Sequence, residues 1–431
     1  MVYVVLLKAI WYNQDNLAPA SNEIKEADMS SSDAPPEIRP QTIRPIQARQ
    51  PSDQIATQPE EARPATPSSA PAQPKAPTPR GTSPYRTGGP SPRSLSQVLK
   101  EADRMVVQGE LDEYLPIPTG FDQIDRLIGG GLRRTELVLL GGAQGIGKTI
   151  TALQMARNLA LNEATYAFYI SYEHSEVHLL NRLICQESID ATSEDVSAGL
   201  RLKDLHNIVV SKRAREWVRK DGNIGLSQIL SQHPKTAKAM ATINRYADRL
   251  ILMKASPAVT TLNSIREMTR QIAEATGGKL VLFIDYLQKV AIYPERASDE
   301  NDKVTIIVEG LKDIAMTYNI PVVSIVAADR EGLRSKRMHL FHLRGSSALD
   351  YECDIAILMN NKFHILSKEH VSFNPYKSES YRDWVVFTLE KNRAGRAMID
   401  VEFRLHAQHF CFNPQGKLVE QKLIDEKIIV E

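Results

Sequence analysis

The stretch that most constrains this chain is Leu137 to Thr149, LVLLGGAQGIGKT. An apolar run, a glycine-rich turn and a helical pattern follow one another, so the stretch reads as strand, loop and helix. Within it Gly142, Ala143, Gln144, Gly145, Ile146, Gly147, Lys148 and Thr149 have the spacing of a phosphate-binding loop. Small residues let successive backbone N–H groups turn inward around an anion. The helix expected over Thr149 to Leu161 adds the positive end of its dipole. Lys148 is expected to reach the β- and γ-phosphates of ATP, and Thr149 to offer its hydroxyl to Mg²⁺. The alternative is a chance match in a glycine-rich turn; the strand before it and the helix after it are the context that argues against chance.

The rest of the 431-residue chain divides by composition. Most of the 24 prolines fall between Pro35 and Pro92, among Ser, Thr, Ala, Gln and Arg. Such a segment buries too little apolar surface to offset the entropy of ordering it, so residues 18–93 read as a disordered tether. Ahead of it, Val2 to Tyr12 is apolar but short and interrupted by Lys8, whereas a membrane-crossing helix takes about 20 apolar residues. It lacks the basic leader and small-residue cleavage site of a secretory signal, and no membrane partner is expected. Three scattered cysteines exclude a disulfide framework and a thiolate metal cage. A reducing cytosol is the expected setting. With a net charge of +1, any surface for a polyanion has to be a local patch.

From Ser94 the pattern turns globular. Leu95, Val98, Leu99, Ala102, Met105 and Val106 share one face of a helix that starts at a serine cap, a linker element expected within 94–113. Residues 114–431 alternate strands and helices, which predicts an α/β fold with a mostly parallel sheet, helices on both faces and an antiparallel-looking tail. The region Ile189 to Ala247 is polar with helical patches. The apolar strand within KLVLFIDYLQ ends in Asp285, placed to hold a Mg²⁺ shell. Glu173 follows the strand Thr165 to Ser171 and has two readings. It stands where open α/β sheets place their chemistry, or it is a first-turn residue of the helix expected from Ser175, favoured by the dipole. Asp329 to Arg344 is the densest basic stretch, with Arg330, Arg334, Lys336, Arg337, Arg344, His339 and His342. It reads as a solvated loop or as a contact to nucleic-acid phosphates.

Several stretches together resemble one family, the DnaB-type replicative helicases, whose motor domain has the RecA fold. IPTGFDQIDRLIGGGL looks like its opening segment, GAQGIGKT its phosphate loop, SYEHS its strand-end glutamate motif and LVLFIDYLQ its Walker B strand. LRGSSALDYECDIAILM resembles its DNA loop and EKNRAG its basic finger. The resemblance runs from about Ser94 to Cys411. It implies that Glu173 polarises the attacking water and that Thr149 and Asp285 serve Mg²⁺. It also implies that Lys391 and Arg393 reach the ATP site of an adjacent subunit, so the chain assembles as a ring or spiral, by analogy a homo-hexamer, in which the Ser94 to Val106 helix docks on a neighbour. Arg344, with Arg330 and Arg334 on the same loop, would face single-stranded DNA, and a replication loader or a primase would be the protein partner.

Three departures stand against a complete replicative helicase. Ala327 replaces the family's usual glutamine, Gly345 replaces a usual glutamate after the DNA-loop arginine, and the tether stands where the family has a helical N-terminal domain. The reading is therefore a DnaB-like ATP-driven translocase on single-stranded DNA. Against it stands a nucleotide-dependent switch or loader of the RecA, RadA or KaiC kind, which assembles and engages partners without unwinding.

Overall fold

The structure, a computed structural model, describes residues 92–423 apart from 112–113, 163, 294–295, 346, 367–379 and 421–422. The expectations for 1–17 and 18–91 lie outside the described residues. The chain divides into two units, 18–101 and the remainder. Of the first, Pro92 to Glu101 are described. They hold the first half of helix α1 (Leu95–Val107), which opens with reciprocal bonds: Ser94 N to Gln97 Oε1 at 2.8 Å and Gln97 N to Ser94 Oγ at 3.3 Å. This pair satisfies two backbone donors that a helix start leaves without partners.

In the larger unit, α2 (Asp122–Leu127) precedes strand β1 (Leu137–Gly142) and α3 (Lys148–Leu161). Next come β2 (Tyr166–Ser171), α4 (Glu176–Glu187) and four short helices, α5 (Leu202–Val209), α6 (Lys212–Lys220), α7 (Leu226–Ser231) and α8 (Ala237–Tyr246). These fill the polar region 189–247. The chain continues through β3 (Leu250–Lys254), α9 (Leu262–Ala275), β4 (Leu280–Asp285), α10 (Glu300–Tyr318), β5 (Val322–Ala327), α11 (Ala348–Glu352) and β6 (Ile355–Asn361). After the short helix α12 (Lys362–Ile365) it closes with β7 (Trp384–Asn392), β8 (Ile399–His406), β9 (Cys411–Phe412) and β10 (Lys417–Leu418).

All ten strands form one sheet in the order β10-β8-β7-β6-β1-β5-β4-β2-β3, with β9 attached to β8. From β6 to β3 the pairs are parallel; β6–β7, β7–β8 and β8–β10 are antiparallel. The mostly parallel sheet and its antiparallel tail are as the sequence predicts. A parallel sheet covered on both faces needs strands apolar on both faces. In β1, Val138 and Leu140 enter one core with α3, while Leu137 and Leu139 enter the other with α10. All six β1 residues are buried. The strand therefore cannot shift, and the loop that leaves its carboxyl end starts from a fixed point.

The opening segment is pinned to the later turns of α3. Asp125 Oδ1 accepts from Thr119 N and Thr119 Oγ1, each at 2.8 Å, and Asn158 of α3 donates to Thr119 O at 3.0 Å. Phe121 packs edge-on against Phe403 at 5.3 Å between ring centres, which joins this segment to the antiparallel tail.

Candidate functional site

The phosphate loop owes its shape to its glycines. Gly142, Gly145 and Gly147 have φ of 153°, 79° and 105°, a region costly for residues with a Cβ. At Gly142 a Cβ would stand 2.8 Å from Met359 O, and at Gly147 3.0 Å from the Phe412 ring. Gly147 caps α3, so Lys148 and Thr149 open the helix one residue earlier than expected. The ammonium of Lys148 donates to Gly142 O and Ala143 O, both at 2.8 Å.

Parallel pairing brings the other groups to the same end of the sheet. Ser171 pairs in register with Asp285, so the ends of β2 and β4 lie side by side. Asp285 accepts from Tyr169 Oη at 2.9 Å, and Thr149 stands near enough to lower its pKa. Burial pushes its carboxyl up to about 6, against hydrogen bonds that pull it down. Burial lowers the Lys148 ammonium, while the charges of Asp285 and Glu173 oppose that shift. Thr149 and Asp285 are a hard oxygen donor set suited to Mg²⁺, whose remaining ligands would come from phosphate and water.

Glu173 precedes the helix-capping residue Ser175, whose Oγ accepts from His178 N at 3.3 Å. The first-turn reading therefore fails, and the acidic residue of that turn is Glu176, which accepts from Lys254 N at 2.7 Å. Glu173 is exposed in a turn in which Ser171 Oγ accepts from Glu173 N at 3.3 Å and His174 N at 3.0 Å. It lines a cavity of about 500 Å³ together with Gly142, Gln144, Gly145, Gly147, Lys148, Thr149 and Asp285. The residues expected from separate motifs thus converge on one cavity.

Two residues of this site, Arg182 and His174, were not anticipated. Arg182 of α4 lines the cavity, with its guanidinium 5.0 Å from the centre of the Phe410 ring. Burial lowers its pKa, and Tyr169, Asp285 and Glu173 oppose the shift. His174, also at the cavity, is pushed down to about 4 by burial, with Arg182 and His178 adding to the effect, so it is neutral at pH 7. The signal available in the sequence was the stripe His174, His178, Arg182 at four-residue spacing beside the apolar face of α4.

The model of the DnaB-like helicase C terminal domain family matches residues 116–412. The chain belongs to this family. It is 26% identical over 276 residues to the replicative DNA helicase DnaB of Rickettsia bellii, covering 63% of this chain and 50% of that one. To the probable replicative DNA helicase of Guillardia theta it is 26% identical over 290 residues, covering 66% and 41%. The chain thus spans half or less of the length of these two relatives. Among solved structures, the ATPase domain of G40P superimposes with a TM-score of 0.54 at 21% identity, covering 75% of this chain and 99% of that one. A DnaB-like replicative helicase, described with its interactions with primase, gives 0.53 at 21% identity, covering 75% and 67%. Both support the RecA-like fold.

In this DnaB-like chain Ala327, at the end of β5, lines the cavity with a methyl group. Gln288, which follows the Walker B strand, spends its amide on the backbone there. It accepts from Ala327 N at 3.1 Å and donates to Arg344 O at 2.7 Å.

The basic stretch after β5 splits in two. Arg330, Arg334 and Arg344 are exposed. Arg337, His339 and His342 are buried, which corrects the picture of a uniformly solvated basic loop. Arg337 Nη2 bonds Asp400 Oδ1 at 2.6 Å, and His339 Nδ1 meets Glu390 Oε1 at 2.6 Å. Unpaired buried charges are too costly to keep, so these residues fasten the loop to β7 and β8.

Lys391 and Arg393 lie outside the cavity. Lys391 bonds the carbonyl of Asp350; Arg393 bonds the carbonyl of Tyr351 and, at 3.3 Å, Asp354 Oδ1. Asp354 in turn accepts from Leu137 N at 2.7 Å, the first residue of β1. The two cations therefore sit at the amino end of β1, and the phosphate loop at its carboxyl end. Among the described residues no group of three or more His, Cys, Asp or Glu forms a metal site. No helix there is long and apolar enough to cross a membrane.

Proposed function

We propose that this chain is an ATP-hydrolysing motor on single-stranded DNA, with each ATP site completed by an adjacent subunit. The observation that carries the reading is the convergence of Lys148, Thr149, Asp285 and Glu173 on one cavity, while the two basic finger residues stand at the other end of β1. In this reading Lys148 exchanges the carbonyls of Gly142 and Ala143 for β- and γ-phosphate oxygens. Thr149 and Asp285 would hold Mg²⁺, which would supply positive charge beside the phosphates. Glu173, fixed by its turn, accepts a proton from the attacking water. The Arg182 guanidinium and Phe410 ring offer a flat wall against which the base can stack.

A strand of six residues spans roughly 20 Å at about 3.3 Å per residue, so Lys391 and Arg393 cannot serve the ATP bound by their own chain. They can serve a neighbour's. Arg393 is half exposed, and Asp354 keeps Leu137 N and Lys312 as partners if it leaves. This supports a ring or spiral, by family analogy a homo-hexamer, in which α1 docks on the next subunit through its exposed Leu95, Leu99 and Val106. Arg330, Arg334 and Arg344 would meet DNA phosphates, and a replication loader or primase is the protein partner that the family supports.

A switch or loader that does not unwind remains the second reading because of one observation. With Ala327 at the end of β5 and the Gln288 amide bonded to the backbone, that strand end offers, among the described residues, no free side-chain amide for a γ-phosphate. The deciding experiment is ATP turnover with and without single-stranded DNA. Stimulation by DNA supports the motor; turnover indifferent to DNA contradicts it.

A further inference from the structure

Arg344 is clamped through its backbone. Its N–H donates to Ala327 O at 2.8 Å and its carbonyl accepts from Gln288 Nε2 at 2.7 Å, which fixes its Cα to the end of β5 beside the ATP cavity. Only the side chain is left to change partners. Its Nη2 stands 2.8 Å from Glu300 Oε2 and 2.7 Å from Glu300 Oε1. Glu300 is the first residue of α10, directly after the capping Asp299. The carboxylate thus comes from an element far away in sequence.

The residue beside Arg344 explains why. Gly345 has a φ of 136°, and a Cβ there would stand 2.5 Å from Val304 Cγ1 and 2.9 Å from Val304 Cβ. A glutamate next to the arginine is excluded by that wall. Helix α10 supplies both features, with Val304 closing position 345 and Glu300, one turn earlier on the same face, offering the charge.

We propose that Glu300 is the internal counter-ion of Arg344, a positioning residue that single-stranded DNA must displace and that thereby sets how tightly this chain holds DNA. The proposal rests on the single-stranded DNA reading above. Both side chains are about half exposed, at 52% and 49%. An exposed pair of this kind is weak, so a phosphate can replace the carboxylate. The pair holds the guanidinium beside the strand end and lowers its net attraction for DNA.

The test is fluorescence anisotropy of a labelled oligothymidylate titrated with the full chain, loaded with a non-hydrolysable ATP analogue, at several salt concentrations. Glu300→Gln keeps the size and polarity of the side chain and should tighten binding about three- to fivefold at low salt, with the gain shrinking as salt screens the pair. Arg344→Ala should loosen binding, and adding Glu300→Gln to it should change nothing further. No gain in Glu300→Gln, or a gain that persists without Arg344, overturns the proposal, the second because it would show general repulsion in place of a specific pair. If the unaltered chain binds no oligothymidylate, the DNA reading itself fails and the proposal with it.

Discussion

The two ends of β1 are built differently. At the carboxyl end the groups satisfy one another: Lys148 on two loop carbonyls, Asp285 on Tyr169. At the amino end Lys391 and Arg393 rest on backbone carbonyls and on a carboxylate that already holds Leu137 N and Lys312. The first end is a preorganised cavity. The second is a pair of tethered cations whose loss leaves few buried groups without partners. A strand with the proposed catalytic groups at one end and releasable cations at the other is suited to stacking subunits so that one end meets the other.

The largest effect expected at the carboxyl end is from Lys148→Ala, which should abolish turnover by removing the mobile cation of the loop. Normal ATP hydrolysis by that variant would break the assignment of the cavity. Glu173→Gln should keep ATP binding and lower turnover by about two or more orders of magnitude, read by single-turnover kinetics against nucleotide affinity. An unchanged rate would leave Glu173 as a turn residue only.

Asp285 tests the same end through stability. Its carboxyl is raised from 3.8 to about 6 by burial, so the folded chain binds that proton more tightly than the unfolded chain. The resulting stabilisation is complete below pH 3.8 and is lost as pH rises through about 6. Above that, an ionised carboxylate is held in a dry site at a cost. Asp285→Asn should therefore raise the melting temperature at pH 8, by the equivalent of about 1–3 kcal/mol, and do little at pH 4, while losing Mg²⁺-dependent turnover. A lower melting temperature at pH 8 would mean that the hydrogen bond from Tyr169 outweighs burial. The smallest effect belongs to the loop beyond β5. Arg344→Ala should reduce the salt slope of DNA binding by roughly one unit, as for one lost phosphate contact, and an unchanged slope would return that residue to a solvated role.

The carboxyl end was legible because its chemistry is local in sequence. Glycines at fixed spacing, a lysine and a threonine announce a loop whose backbone conformation only they allow, and an aspartate closing an apolar run marks a strand end. Arg182 was harder to see, because its place depends on how α4 packs, and Gln288 because its bonds run to backbone atoms of β5 that only the sheet order brings near. The basic loop misled for a related reason. Arg337 and His339 look like their exposed neighbours until Asp400 and Glu390, on strands far along the chain, are found beside them. At the amino end the sequence marks a hydrophilic turn between two strands, but only the pairing of Asp354 with Leu137 places that turn opposite the phosphate loop.

The central claim is that the two ends of β1 serve different ATP molecules, and mixing inactive subunits tests it most directly. Lys148→Ala lacks a working loop and Arg393→Ala a working finger, so each should be inactive alone, the second by about three to five orders of magnitude if its arginine acts as fingers do elsewhere. In mixed assemblies, with co-assembly verified by sedimentation and subunit exchange by labelled chains, an intact loop can meet an intact finger, and ATP turnover should reappear. Verified mixed assemblies that stay inactive, or an Arg393→Ala variant that is fully active by itself, would contradict the account.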